Sequence, residues 1–543
     1  MLSRTALRSS RLLLSRTQQA QHPAVATRTF SSTAAAIIDS SNDEFMTNAA
    51  SCNYSPLEQF LTHGGDDRSL IFTDTGTNKY HIAPRPIASD AIFRGSCTCN
   101  APTERGYQAA AQLYENTIST SNDLDATLKE IFENQRDRIA KCLELPEGTE
   151  VVLCPSGSDA EYIPIVMARQ LIQNPSRKMK NYVTQLKEIG AGSSVASGGL
   201  YFSTHAPLTG RLSEEEQNKG LKGFATPSLE EISIPARERS GSVIDGSQTI
   251  TDMAAADQDS YTLLHGVFGG KTGLRDAVMP GSNDSTMGII DACQGRFSLE
   301  ELHGWLANDS VVLFTGSKFY QAPPFCGAVF IPPNMAAQLS QLPAPEPKEM
   351  FDSLSGFVTD KELSPCLVNS WGPLLKNSQR NNVGLALRWE AGLAGMEALS
   401  GTPDPQRVQA VEEWANQVTA MVQDESAYLD AWCIERSIIS IRLKKGDDGW
   451  LNMDELRNVY RLMSLDLSSV PVNDSNNVLQ YAVNLGQPVD VAESHAILRI
   501  ALGSESLASY IQNPSATLAE DQTAVKKLAA VAKYYDEICQ SGI

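Results

Sequence analysis

Residues 311–333 read VVLFTGSKFYQAPPFCGAVFIPP, two apolar runs with a single charged side chain, Lys318, between them. Short apolar runs bounded by Gly, Pro and hydroxyl residues read as buried strands. A lone lysine at a strand end most often lays its stem across apolar surface with its ammonium in water, so the neighbours decide whether Lys318 has chemistry to do. Thr315, Gly316 and Ser317 stand before it. Upstream, MGIIDACQGR ends another apolar run in an acid, Asp291, with Gln294 three residues on.

Working outward, apolar strands recur as EVVLC, KNYVTQL, YTLLHGVF, MGIID and SVVLFT, separated by helices or long loops. That alternation predicts an α/β fold with a mostly parallel sheet. The helical stretch DLDATLKEIFENQRDRIAKCLEL leads into the first strand, and residues 210–259, rich in Ser, Glu and Gly, read as a surface insertion. Beyond a proline-rich connector at 339–354 come two stretches of helical spacing, then SIISIRL, AILRIALG and a C-terminal helix, a smaller α+β domain. The expected organisation is an N-terminal arm at 39–120, a large domain at 121–345 and a small domain at 355–543.

The chain of 543 residues carries a formal charge of −20 and is 42% hydrophobic, ordinary for two or three packed domains. Residues 1–38 differ: they hold Arg4, Arg8, Arg11, Arg16 and Arg28, many Ser and Thr, and no acid. This is transit-peptide composition, and RTFSS resembles a mitochondrial processing site cut after Phe30, so a mitochondrial matrix address is expected and a plastid one less so. The remainder is more acidic still, which argues against nucleic acid as a partner. No uninterrupted apolar run reaches membrane-spanning length, so no membrane partner is expected. The ten cysteines form no CxxC pair and the seven histidines no HxxxH, so no metal site is signalled.

Three strand ends carry the chemistry. In EVVLCPSGSDAEY a strand turns into a helix at Ser156, Gly157, Ser158 and Asp159, a place where free N–H groups cradle an anion, although Ser and Asp are also ordinary helix caps. Asp291, at the end of a buried strand, needs a partner, and a protonated ring nitrogen is a suitable one. Lys318 can form an imine with an aldehyde, and the hydroxyls of Thr315 and Ser317 can bind phosphate. An anion cradle, a carboxylate for a pyridinium and a lysine for an aldehyde together describe pyridoxal 5'-phosphate.

From about Cys142 to Val329 the chain resembles the fold-type I pyridoxal-phosphate enzymes, within them the class V aminotransferase and cysteine desulfurase branch, where an acid, a Gln three residues later and a lysine follow at nearly this spacing. The resemblance implies a seven-stranded, mostly parallel sheet in the large domain and a homodimer with sites at the interface. It implies that Lys318 holds the cofactor and moves protons, Asp291 keeps the ring nitrogen protonated, and Gln294 bonds the phenolic oxygen. Ser156, Gly157, Ser158, Asp159, Thr315 and Ser317 fall to the phosphate. Cys293 stands where relatives carry Ala, and YVTQLKEIGAGSSVASGGLYFSTH offers no evident residue to stack on the ring. His265 and Lys271 in HGVFGGKTG fall near the site, His265 reading more simply as a packed strand residue. Arg499 in ESHAILRIALG resembles the arginine that grips a substrate carboxylate, with Ala501 where relatives have Ser; Arg388 is the next place to look. The activity this implies is an aminotransferase converting an amino acid and a keto acid. The alternatives are a C–S lyase or cysteine desulfurase, for which Cys433, Cys326 and Cys366 are the thiols to weigh, and a catalytically silent cofactor-binding protein.

Overall fold

The computed structural model describes residues 44–543 apart from 98, 173, 175, 227, 258, 377–379, 446–448 and 494. The leader at 1–38 and its cut after Phe30 lie outside the described residues.

Strand β1 is Ile92–Arg94, β2 Glu150–Cys154, β3 Met179–Leu186, β4 His205–Ala206, β5 Gly210–Arg211, β6 Leu229–Pro235 and β7 Tyr261–Val267. Then follow β8 Thr286–Asp291, β9 Val311–Thr315, β10 Gly327–Ile331, β11 Leu429–Glu435, β12 Ile438–Leu443, β13 Val483–Ala492 and β14 His495–Ala501. The large sheet has seven strands in the order β2-β10-β9-β8-β7-β3-β6. All run parallel except β10, which is antiparallel to both β2 and β9. The fold is therefore the expected α/β class with a mostly parallel seven-stranded sheet.

Its strands are apolar throughout because both faces are covered. Successive side chains alternate between two cores: Val152, Ile289, Val311, Leu313 and Val329 pack in one, while Val151, Leu153, Ile290, Val312, Phe314 and Phe330 pack in the other. The second core continues under the helices Leu124–Cys142 and Val383–Ser400, both expected from their spacing.

Two expectations change. Residues 210–259 are not only an insertion, since β6 within them pairs in parallel with β3 and closes the sheet edge. LEEISIP is half-buried along its length, as suits an edge strand carrying charge, and this hides it from an apolar-run search. The N-terminal arm holds helices Glu44–Ser51, Pro56–Thr62 and Glu104–Leu113, and its β1 pairs in parallel with β13. The smaller sheet thus reads β1-β13-β14-β12-β11, antiparallel beyond the first pair.

With six strands pointing one way, β2, β3, β7, β8 and β9 end on the same side of the sheet, which is where an open parallel sheet presents loops to a ligand.

Candidate functional site

A cavity of about 300 Å³ opens there, and Ser156, Gly157, Ser158, Asp291, Gln294, Thr315, Ser317 and Lys318 all line it. That volume is at the lower end of small-molecule pockets.

Each is placed by its strand end. After β2, Ser156 caps the helix Gly157–Ala160, its Oγ accepting from the Asp159 N–H at 3.2 Å. This first helix is one turn, followed after Glu161 by Tyr162–Ile172. A Cβ at position 157 would stand 2.8 Å from Cys293 Sγ and 2.9 Å from Thr315 Cγ2, so only glycine lets this turn lie so close to the ends of β8 and β9. Thr315 Oγ1 donates to the Cys293 carbonyl at 2.7 Å, and the Cys293 N–H donates to Asp291 Oδ1 at 3.0 Å, which pins the two strand ends together. Asn100 of the arm donates to the carbonyls of Ser317 and Lys318 at 2.7 and 3.0 Å, so the loop carrying the lysine is held from outside the sheet. Gln294 Nε2 donates to the Gly270 carbonyl, while its buried Oε1 has no partner among the described residues.

Asp159 is buried behind Ser156, whose Oγ lies 2.6 Å from Asp159 Oδ2. Burial, then the nearby Asp66, pushes its carboxyl up to about 7. Lys271 lines the cavity and donates to the Lys187 carbonyl. Burial brings its ammonium down to about 8, with Arg499 and Lys318 pushing the same way against Glu188.

His265 is a fully buried strand residue that lies outside the lining. It faces the same way along β7 as Asp291 does along β8, and its Nδ1 is 3.6 Å from Glu161 Oε2. Ligand atoms of Glu161, His265 and Asp291 all fall within 4.8 Å of one another, a buried group beneath the cavity floor that the histidine pattern did not signal. Burial, then Asp291, raises the Glu161 carboxyl well above its usual range, and burial lowers the His265 imidazole.

Arg499 is wholly buried and is absent from the lining. Its guanidinium donates to the carbonyls of Lys271 at 3.0 Å and Gln487 at 3.0 and 3.3 Å, two residues that do form the wall. Arg388 is equally buried and donates to the carbonyls of Leu61, His63, Gly64 and Phe325, a structural tie between arm and large domain. Sequence reasoning missed Arg68, Lys79 and Tyr80, which the arm brings into the cavity, and the wall residues Glu188 and Phe202. Among the described cysteines only Cys293 lines the cavity. Burial raises its thiol pKa well above the usual range and pushes the thiols of Cys326 and Cys366 up to about 12, while Cys433 is half-buried in β11.

No family model matches the chain, and no curated protein matches it. Among solved structures it is similar to a NifS-like protein at 12% identity, covering 81% of this chain and 99% of that one with a TM-score of 0.47. It is similar to an Escherichia coli cysteine desulfurase at 14% identity, covering 80% and 97%, with a TM-score of 0.45. A pyridoxamine-pyruvate aminotransferase from Mesorhizobium loti is 13% identical over 84% and 98% of the two chains, with a TM-score of 0.44. Likenesses this distant carry no weight for function, which rests on the side chains of the cavity.

Proposed function

We propose that the protein is a pyridoxal-phosphate-dependent enzyme acting on an amino acid, and that it is an aminotransferase. The observation that carries the reading is the convergence of Lys318, Asp291 and the Ser156–Ser158 turn on one cavity. The residues present fit the group. Lys318 offers an amine, Asp291 a buried carboxylate, Gln294 an amide whose oxygen has no partner among the described residues, and Ser158 and Ser317 hydroxyls, those of Ser156 and Thr315 being given to Asp159 and the Cys293 carbonyl.

When bound, pyridoxal phosphate supplies an aldehyde reactive toward amines and a ring that accepts electrons from a bond broken at the substrate Cα. The chain does the rest. Lys318 anchors and then carries a proton to or from Cα. Asp291 holds the proton on the ring nitrogen, and Gln294 hydrogen-bonds beside the phenolic oxygen. The Ser158 and Ser317 hydroxyls fix the phosphate, and the buried floor excludes water. Transamination asks for no thiol, and the described cysteines offer no thiolate at the cavity: Cys293 lines it, but burial holds that thiol protonated. This favours transamination over desulfuration.

Borohydride reduction of the purified protein followed by peptide mapping tests the reading. We expect one pyridoxyl group, on Lys318; label on another lysine, or none, overturns it.

Arg499 belongs to the same proposal as the substrate-carboxylate residue. A guanidinium fork makes paired charge-assisted bonds that lysine cannot copy, but here its N–H groups hold the Lys271 and Gln487 carbonyls. Gripping a carboxylate therefore means exchanging those carbonyls for it. Arg499→Leu is expected to keep the borohydride label while losing about 2–5 kcal/mol of transition-state stabilisation toward amino acids in single-turnover kinetics. An intact label with an unchanged response to amino-acid concentration would assign the carboxylate elsewhere, Lys271 first.

A homodimer and a mitochondrial matrix address complete the proposal. A fully active monomer in sedimentation would overturn the first, and an uncut N-terminus on protein isolated from mitochondria would overturn the cleavage after Phe30.

A further inference from the structure

Arg68 enters the cavity from the arm, far from any strand end in sequence. Its Nη2 lies 3.3 Å from Ser156 Oγ, the residue that caps the turn after β2. Nε donates to Asp66 Oδ1 at 2.7 Å and Nη2 to the other carboxylate oxygen, so a buried acid fixes the plane of the guanidinium. The guanidinium carbon stands 4.2 Å from the centre of the Phe325 ring and 5.4 Å from that of Phe202. Among the described residues no protein group accepts from Nη1.

We propose that Arg68 is a phosphate-binding residue of this cavity, the cation that meets the phosphate monoester of the cofactor beside Ser156, supplied by the N-terminal segment of the same chain. The inference rests on the pyridoxal-phosphate reading and goes beyond it by naming a residue and a segment that the strand-end motifs do not contain.

The other charges of the cavity wall are engaged. Lys79 is paired with Asp67 at 3.1 Å, and Glu188 with Arg237 at 3.2 Å. Lys271 is held by the Lys187 carbonyl on the side of the cavity where Gln487 and Arg499 meet it. Lys318 and Asp291 are taken by the aldehyde and the ring nitrogen. Arg68 is paired as well, with Asp66, but it is the cation that reaches the Ser156 hydroxyl at the turn after β2. If it served only to neutralise Asp66, a lysine-like contact at the surface would do. Instead the fork is clamped by Asp66 and lies against the rings of Phe325 and Phe202, with no acceptor for Nη1 among the described residues, an arrangement that lowers the entropy lost on binding an oxyanion. The same arm supplies Asn100, which holds the carbonyls of Ser317 and Lys318, so one segment orders both the phosphate side and the lysine side of the cavity.

The test compares affinities of the cofactor-stripped protein for pyridoxal phosphate and for pyridoxal, which lacks the phosphate, in wild type, Arg68→Met and Arg68→Lys. Methionine keeps the packing between Phe202 and Phe325 and removes the charge. Losing hydrogen bonds to a charged group corresponds to about a 10- to 100-fold weaker Kd. We expect that loss for pyridoxal phosphate in Arg68→Met, partial recovery in Arg68→Lys, and pyridoxal affinity unchanged within about twofold. Inorganic phosphate should compete with pyridoxal phosphate in wild type and much less in Arg68→Met. Equal weakening for both ligands would make Arg68 a packing residue and overturn the proposal, as would no weakening for either. Wild type that binds neither ligand would instead reject the cofactor reading itself, and this role of Arg68 with it.

Discussion

Lys318→Ala should leave a folded protein that carries no borohydride-fixable pyridoxyl group and turns over amino acids about 10²- to 10⁴-fold more slowly, the range for losing a positioned proton-transfer group. Folding should survive because the loop is held through its backbone, by Asn100 on the Ser317 and Lys318 carbonyls, and the lysine side chain is only half-buried. Melting temperature and sedimentation check that point, and single-turnover kinetics with each amino acid measure the loss. The cavity contains a second amine, Lys271, which burial brings down to about 8. If Lys318→Ala kept its label on Lys271 and stayed within tenfold of wild type, the roles of the two lysines would be reversed and the reading of residues 311–333 would be wrong.

Those residues were legible because a parallel strand buried on both faces writes itself as an apolar run, and the polar residues that interrupt it stand at its carboxyl end, where the loops of the sheet gather. EVVLC, MGIID and VVLFT appear in the structure as β2, β8 and β9, and Ser156, Asp291 and Lys318 follow or close them. Among the strands missed, three lack that signature. β6 is a half-exposed edge, and β13 contains Gly486 and Pro488 and bulges between Gly486 and Val489. β1 is three residues long and gains its partner only when the arm folds against the small sheet.

The limits at the site have the same origin. Arg68 sits in GGDDRSL, which reads as a polar turn, and its meeting with Ser156 joins positions 88 apart in sequence. Arg499 was recognisable as an arginine in an apolar strand, but its partners, the carbonyls of Lys271 and Gln487, are backbone groups that no residue pattern encodes. His265 was noticed and assigned to packing; what the sequence did not show is that Glu161, on the first helical turns after β2, meets it beneath Asp291.

That buried group decides the second large effect. Asp291 is 6% exposed, and Glu161 and His265 behind it are both buried. Burial, then Asp291, raises the Glu161 carboxyl well above its usual range, and burial lowers the His265 imidazole. On the proposed reading Asp291 would be the floor group beside the ring nitrogen, and the two groups behind it are both shifted toward their uncharged forms. With pyridoxal phosphate bound as proposed, Asp291→Asn would preserve shape but leave a protonated ring nitrogen without its carboxylate, an uncompensated buried charge costing about 3–5 kcal/mol that loss of the proton would relieve. The electron-accepting power of the ring falls accordingly, so single-turnover conversion of amino acids should slow by about 10²- to 10³-fold while the Lys318 label persists. Glu161→Gln should have a small effect alone, because the upward shift favours the neutral carboxyl, which an amide resembles. Asp291→Asn, however, removes the smaller of the two causes that raise the Glu161 carboxyl, the Asp291 charge, and so favours its ionisation. If the single variant Asp291→Asn stays within fivefold of wild type and the double variant with Glu161→Gln collapses, the charge belongs to the pair; if both stay within fivefold, the floor of this cavity does not hold a protonated ring nitrogen.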